Sequence, residues 1–445
     1  MNANTADAKA SHANASRVPV DHAHRHSLNN EVHARPPVPM RPPMRASYLV
    51  CHTGTAGAGA NRRAINELAG HFGVAPPGAD DSHYVADMGP FRVKWERHTE
   101  FIGYIFIADG APDDSFSDPA IKLAPADWLA ELPGEVLLAT HVALVADGGD
   151  TPDHERISRG MFAGNVLVGA DIAAGAGVAM TDFHIHGDGF SRLLVVNRTM
   201  SPSQAGRNIQ RLLEMDSYRM MALLAFPTAR ALSPLLTERE QELVEITAAL
   251  AGVTEADELS LLNRLTRLQA DIESRYSSNN YRFDAANAYY TLVQQRIADL
   301  REQRIPGMPT FREFTERRLA PAMDTCRAVS VRQKSLTQGV ARATQLLSTR
   351  VDMERREQNQ AVLESMDRRA GQQLRLQEAV ETLSIVAVTY YMVGLVGFAS
   401  DGINQIQPLL NTGLVKAVSI PIVASLVFVV VRRVRKRMAK LIEGL

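Results

Sequence analysis

Residues 382–400, TLSIVAVTYYMVGLVGFAS, and 414–431, LVKAVSIPIVASLVFVVV, decide how this chain is built. The first is an uncharged run of 19 residues between Glu381 and Asp401. The second has 18 residues, with Lys416 near one end and Pro421 in its first half. Asp401 and Lys416 are the only charged side chains in 382–431. A helix crosses a hydrocarbon core of about 30 Å with about 20 apolar residues, so each run is long enough to span a bilayer. Lys416 can snorkel to the headgroups, and neighbouring helices can re-satisfy the carbonyl that Pro421 frees. A buried hairpin in a soluble core is the competing reading. It fits poorly with Leu426–Val431, which is wholly apolar and ends abruptly in charge.

Working outward, the second run is followed by Arg432, Arg433, Arg435, Lys436 and Arg437, and the first is preceded by Arg368, Arg369 and Arg375. By the positive-inside rule both flanks and both termini are expected in the cytoplasm, with the turn around Asn404–Asn411 outside. The basic tail should also attract anionic headgroups, at about 1 kcal/mol per cation. It abuts an apolar span and the net charge is −1, so nothing argues for nucleic acid. Met1–Pro19 is small and polar, without the apolar core of a secretory signal. Two cysteines, Cys51 and Cys326, give no disulfide framework and fit a reducing compartment. With 22% charged and 45% hydrophobic residues, the part before the spans reads as a globular body.

The composition divides that body. Residues 1–26 read as a disordered arm rich in Ala, Asn and His, followed by an extended strip, Pro36–Pro43. Strand patterns then recur at Ser47–His52, Phe91–Arg97, Phe101–Ala108, Glu135–Ala146, Asn165–Ile172, Gly177–Ile185 and Leu193–Val196, with a helix at Asn61–Phe72. Short links between adjacent strands predict a mostly antiparallel sheet, hence an α+β domain over 27–200. Residues 201–321 read as helical: Gln204–Leu224, Glu238–Ala251, Glu255–Arg275 and Ala285–Gln303, with a break at Ser277–Asn280. No proline interrupts Ala322–Gln407, so 322–381 is expected as a stalk helix about 90 Å long that enters a two-span transmembrane hairpin at 382–431, with 432–445 as the basic tail. Val340, Val351 and Val362 recur every eleven residues, which favours a nearly straight bundle over a seven-residue supercoil. Within a subunit the stalk is expected to pack on the chain's own earlier helices, with self-association as a coiled coil allowed between copies.

Several long words occur in a recognisable order. They begin at His22-x-x-Arg25 with Leu28–Pro37 (LNNEVHARPP), Lys94–Phe101 (KWERHTEF) and Thr181–Arg192 (TDFHIHGDGFSR). Ala205–Arg207, Gln210–Glu214, Tyr218–Met220 and Tyr390–Leu395 continue the series. Over about 21–431 the chain resembles a bacterial family of uncharacterised membrane-anchored proteins, domain-of-unknown-function family 3422. His24 and His184 depart from its pattern. The resemblance implies a bacterial inner-membrane protein and implies no reaction.

The chemistry-bearing residues cluster in three of those words. On a strand, Asp182, His184, His186 and Asp188 would share one face at period two, a plausible surface for a divalent metal. His98 with Glu100, and Glu31 with His33, alternate in the same way. Converging blocks would offer His186 and Asp188 plus Glu31, His33 or His98 as ligands. The plainer reading is a buried polar network bracing the sheet, with Arg35, Arg97 and Arg192 pairing with the acids. Gly54–Gly59 has neither the Lys-Ser/Thr of a phosphate loop nor a complete Gly-x-Gly-x-x-Gly, so it reads as a plain loop. Cys51, Cys326 and Ser191 lack the setting of a nucleophile. Arg207, Arg211 and Arg219 fall near one helix face and either clamp an anion or pair with nearby acids. In the first span Thr389, Tyr390 and Tyr391 lie near mid-membrane and need partners, while Gly394 and Gly397 permit close helix approach.

The function expected from these parts is a membrane-anchored module that binds a cytoplasmic partner or ligand, as a homo-oligomer. One rival is a cation channel. The order of parts resembles the magnesium-channel superfamily, although the Gly-Met-Asn expected after the first span is replaced by Ser400–Asn404; Thr389, Tyr390 and Asp401 would then line the path. The other rival is a membrane-bound metal-dependent enzyme centred on His186 and Asp188.

Overall fold

Phe91–Arg97 alternates apolar and charged residues while Phe101–Ala108 is apolar almost throughout, and a two-strand ribbon follows once the chain reverses at His98–Glu100. In the computed structural model, which describes residues 21–26, 28–29, 36–54, 58–79, 81–110, 116–149, 153–250, 255–406 and 411–442, that ribbon belongs to an eight-stranded sheet. The strands are β1 (Met44–His52), β2 (His83–Asp87), β3 (Arg92–Arg97), β4 (Phe101–Asp109), β5 (Glu135–Ala146), β6 (Val168–Ile172), β7 (Gly177–Thr181) and β8 (Ser191–Asn197). Their spatial order is β2-β3-β4-β1-β5-β8-β7-β6. Neighbours are antiparallel, except that β5 and β8 run parallel. The sheet is thus mostly antiparallel, as its short links predict.

One face carries two apolar clusters. Leu49, Trp95, Tyr104 and Phe106 pack with Ile65 and Leu68 of α1 (Ala58–His71), and the indole of Trp128, in α2 (Ala126–Ala130), donates to Ala64 O at 2.7 Å. Further along, Phe162, Leu167, Met180 and Leu194 enclose a second cluster beyond α3 (His154–Met161). The opposite face receives α4 (Pro202–Leu223), which buries Ile209, Leu212 and Leu213. Its start follows from sequence: Pro202 needs no N–H in the first turn, and Ser201 and Gln204 close a reciprocal capping box.

Helix dominates thereafter: α5 (Ala225–Leu250), α6 (Glu255–Leu300), α7 (Phe311–Arg318), α8 (Ala320–Ile406) and α9 (Thr412–Ile442). Several expectations need correction. α5 begins well before Glu238 and carries Pro234 inside it. The break expected at Ser277–Asn280 is absent, because Ser278 and Asn279 donate to Arg275 O and Asn280 to Asp284 within the same helix. β7 stops at Thr181 rather than Ile185 and β6 starts at Val168 rather than Asn165. The strand β2 was not anticipated.

The chain divides into two units, 1–252 with 263–343, and 253–262 with 344–445. The first holds the sheet, its covering helices and the start of α8. In the second, Arg350 pairs with the buried Glu258 at 2.7 Å and Leu347 is buried. Beyond Glu354 the helix is bare: Arg355 to Val380 are exposed without exception. Val340 is fully buried, whereas Val362 is 56% exposed. The eleven-residue series therefore marks no single seam within the chain.

Among the described residues, three helical stretches are long and apolar enough to cross a membrane: Pro202–Leu250, Phe311–Asn404 and Gly413–Val434. In the first, a third of the apolar window is buried; in the other two the buried share is 6% and 17%.

Candidate functional site

The Thr181–Arg192 word is a loop, not a strand, and this corrects the expected shared face of Asp182, His184, His186 and Asp188. Phe183 adopts a left-handed conformation (φ 54°) immediately after β7, and a tight reversal closes with His186 N donating to Phe190 O and Gly189 N to His186 O, both at 2.9 Å. The Asp182 carboxylate, wholly buried, organises this loop. It accepts from the Asn165 amide at 2.8 Å and the His184 N–H at 3.2 Å, and His186 Nε2 lies 2.9 Å away at ion-pair distance without hydrogen-bond alignment. A buried carboxylate needs such partners to offset its lost hydration. Phe183 stacks on Phe314 of α7 at 4.4 Å, and the Arg219 guanidinium lies over it.

Asp188 faces another way. Its Oδ1 accepts from Phe190 N at 3.0 Å, while Oδ2 is 3.7 Å from Nε2 of His141, a residue on β5 that the motifs did not single out. His141 Nδ1 lies 3.0 Å from Ser47 Oγ, which also accepts from Ile121 N at 3.2 Å. Sheet register makes this row: Ser47 pairs with His141, and His141 with Arg192, across β1, β5 and β8. Phe190 stacks flat on the imidazole at 3.9 Å. Arg192 donates to Met161 O and lies over the Phe116 ring. Burial pushes His141 down to about 4, with Asp188 opposing and Arg192 and Lys122 adding to the depression. The imidazole is neutral at pH 7. Serine, histidine and aspartate stand in line here, but Ser47 is completely buried, and an attacking oxygen must reach its substrate. The row is a polar seam between two apolar clusters.

A second buried polar layer lies on the opposite face. Glu100 takes both nitrogens of the Arg282 guanidinium at 2.8 and 3.1 Å, and the Tyr289 hydroxyl at 3.1 Å. Lys94, 2% exposed, contacts Glu96 at 3.0 Å and Gln210 Oε1 at 2.9 Å. Gln210 passes the chain to Glu214, which pairs with Arg296. Tyr48 donates to or accepts from Ser217 at 2.9 Å. Burial raises Tyr48 well above the usual phenol range and Tyr218 to about 12. Burial, then the neighbouring Glu100, also pushes Tyr289 well above the usual phenol range. The partners on α6, Arg282, Tyr289 and Arg296, were missed from sequence; their spacing of seven along one helix was the available signal.

The predicted ligands are not gathered in one place. His98 stacks on Phe101 at the β3–β4 turn, while Asp182 follows β7, four strand spacings from β4, and Asp188 reaches His141 on β5, two spacings from β4. Glu31 and His33 lie outside the described residues. Among the described residues, no group of three or more His, Cys, Asp or Glu is placed to hold a metal; Asp182 and His186 offer two donors, already engaged with each other.

Of the residues expected in the first span, Thr389 donates to Ile385 O at 2.7 Å, Tyr390 and Tyr391 are exposed, and Gly394 has open space beside it. A Cβ on Gly397 would meet the Lys416 stem at 2.7 Å, so glycine sets the close approach of α8 and α9. Lys416 Nζ lies 2.8 Å from Asp401 Oδ2: the two lone charges of the apolar region pair with one another. An open groove runs beside them, lined by Tyr391, Gly394 and Phe398. Arg432 and Arg433 are exposed; the side chains of Arg435, Lys436 and Arg437 lie outside the described residues.

The family described as "Protein of unknown function (DUF3422)" matches residues 20–438, and the chain belongs to it. No curated protein and no solved structure matches the chain.

Proposed function

We propose that this member of the family is a membrane-tethered module, whose α+β body lies on the cytoplasmic side of a bacterial inner membrane, binds a partner or ligand there, and works as a homo-oligomer. One observation carries the reading: the most apolar helical stretches are the least covered. Leu383, Tyr390 and Phe398 are each more than 70% exposed, and burying a large apolar side chain is worth roughly 1.5–3 kcal/mol. Lipid supplies that burial. The Asp401–Lys416 pair supports the same placement, since charges at an apolar depth are tolerated when they neutralise each other. Arg432 and Arg433 after α9 favour a cytoplasmic C-terminus.

A cation pathway along α8 draws less support, because Asp401 already has a cation partner. Metal-dependent catalysis at His186 and Asp188 draws less for a similar reason: their acceptors hold the loop together. The test begins with the full chain expressed in bacteria and fractionated without detergent. Recovery in the membrane pellet is expected, and release only by detergent; a soluble chain ends the reading. The detergent-extracted protein should exceed monomer mass and its body should retain a cytoplasmic component in a native pull-down. A strict monomer that retains nothing would remove the binding-module part.

A further inference from the structure

The bare stretch of α8 is not uniformly polar. From Val362 to Leu383, the positions 362, 366, 369, 373, 376, 380 and 383 advance by alternate steps of four and three, so they form one stripe on a helix wound at 3.5 residues per turn. Five of the seven are apolar: Val362, Met366, Leu376, Val380 and Leu383, each 56–71% exposed. Charge avoids this side. Of the seven charged residues in 362–383, six (Glu364, Asp367, Arg368, Arg375, Glu378 and Glu381) fall on the three positions of the seven-residue repeat farthest from the stripe. The flanking positions carry Leu363, Ser365, Ala370, Gln372, Gln377, Ala379 and Ser384, all uncharged. Leu374 is the one large apolar residue on the charged side. A solvated helix has no cause to sort its charges in this way, whereas a helix paired along one face does.

We infer that this stripe packs on the same stripe of a second copy of the chain, as a parallel coiled coil standing on the membrane. The inference rests on the tether reading for its geometry. Copies whose α8 helices enter one bilayer from the same side are parallel and at equal depth, so identical residues stand level. The stripe is continuous with a helix contact already present, since the same steps lead on to Gly397 and Asp401, where Lys416 of α9 closes in. Level pairing places Gln373 opposite Gln373, and each amide both donates and accepts, so the pair satisfies itself and fixes the register. Arg369 is the costly position. Its stem can lie along the seam while the guanidinium reaches water.

Single cysteines introduced along α8 of the full chain, oxidised in native membranes, test the pairing. The natural Cys51 and Cys326 are buried, with thiols pushed up to about 11 by burial, and serve as the silent background. Disulfide-linked dimers are expected at Val362, Met366, Leu376 and Val380, and little at Glu364, Arg375 or Glu378. Equal yields on both sides, or none on the stripe, overturn the inference. Arg369→Leu should raise the dimer fraction in diluted detergent extracts about tenfold, the effect of burying one leucine; an unchanged or lower fraction removes Arg369 from the interface and overturns the register. Membrane-bound protein without the cross-link pattern would end the pairing alone. The pattern in detergent-free soluble protein would end the tether alone.

Discussion

His141 stays buried by giving up its charge, and that choice has a sign. The apolar strands around it hold its pKa near 4, against about 6.5 in an unfolded chain. Between these values the unfolded state binds more protons, so stability is full above pH 6.5 and falls as pH drops towards 4. The loss should reach about 2 kcal/mol by pH 5. In His141→Leu that component disappears. Urea unfolding of both proteins at pH 7 and 5 reads the difference, and identical pH slopes would sink this account. Glu100 is instead held by the Arg282 guanidinium at 2.8 and 3.1 Å. Arg282→Met should strand a carboxylate that is 4% exposed and cost about 3–5 kcal/mol. Adding Glu100→Gln to the same protein should recover much of that. A double variant as unstable as the single would show that the guanidinium acts through packing instead.

At the scale of elements, α4 is the piece on which other parts register. Met40 N donates to Pro202 O at 3.0 Å, and Val38 and Met40 are buried beside the first turns. Gly206 makes room for this strip: a Cβ there would stand 1.9 Å from Val38 O. Gly206→Ala must push backbone aside, at about 1–3 kcal/mol of overpacking. Gly70→Ala, in open space on α1, should be neutral or slightly stabilising. Thermal melts of the two variants should differ in this direction, and equal melts would mean the strip is held elsewhere. Much of this architecture was legible beforehand. Alternation marked β3, its return across a short turn marked β4, the Ser201-Pro202 start marked α4, and the uncharged runs marked the bare helices. The parallel contact of β5 with β8 was not, because it joins strands separated by the β6–β7 hairpin, and no local pattern encodes such a pairing. The loop after β7 misled because Asp182, His184 and His186 do alternate in sequence, while the left-handed Phe183 breaks the period in space. Glu100 and Arg282 lie 182 residues apart, and single-sequence reading has no means of matching them.

For the molecule as a whole, if α8 and α9 enter a bilayer as proposed, folding of the body and insertion of these helices are separate problems, and the second turns on two charges. In a bilayer Asp401 and Lys416 need each other, since a lone acid or lysine at the centre of a membrane helix costs about 2.5–3.5 kcal/mol, and less towards its ends. Lys416→Met leaves Asp401 unpaired, and Asp401→Leu leaves Lys416 to reach water alone along its stem. The first should therefore be the more damaging, because a short carboxylate cannot snorkel. Exchanging the two, Asp401→Lys with Lys416→Asp, restores the pair but reverses which helix carries the long stem beside Gly397. That swap should recover most of the membrane-inserted fraction lost by Lys416→Met. The amount of full-length chain resisting alkaline extraction from membranes measures each case. Equal resistance in all of them would mean that the pair is incidental, and that apolar length alone holds α8 and α9 in place.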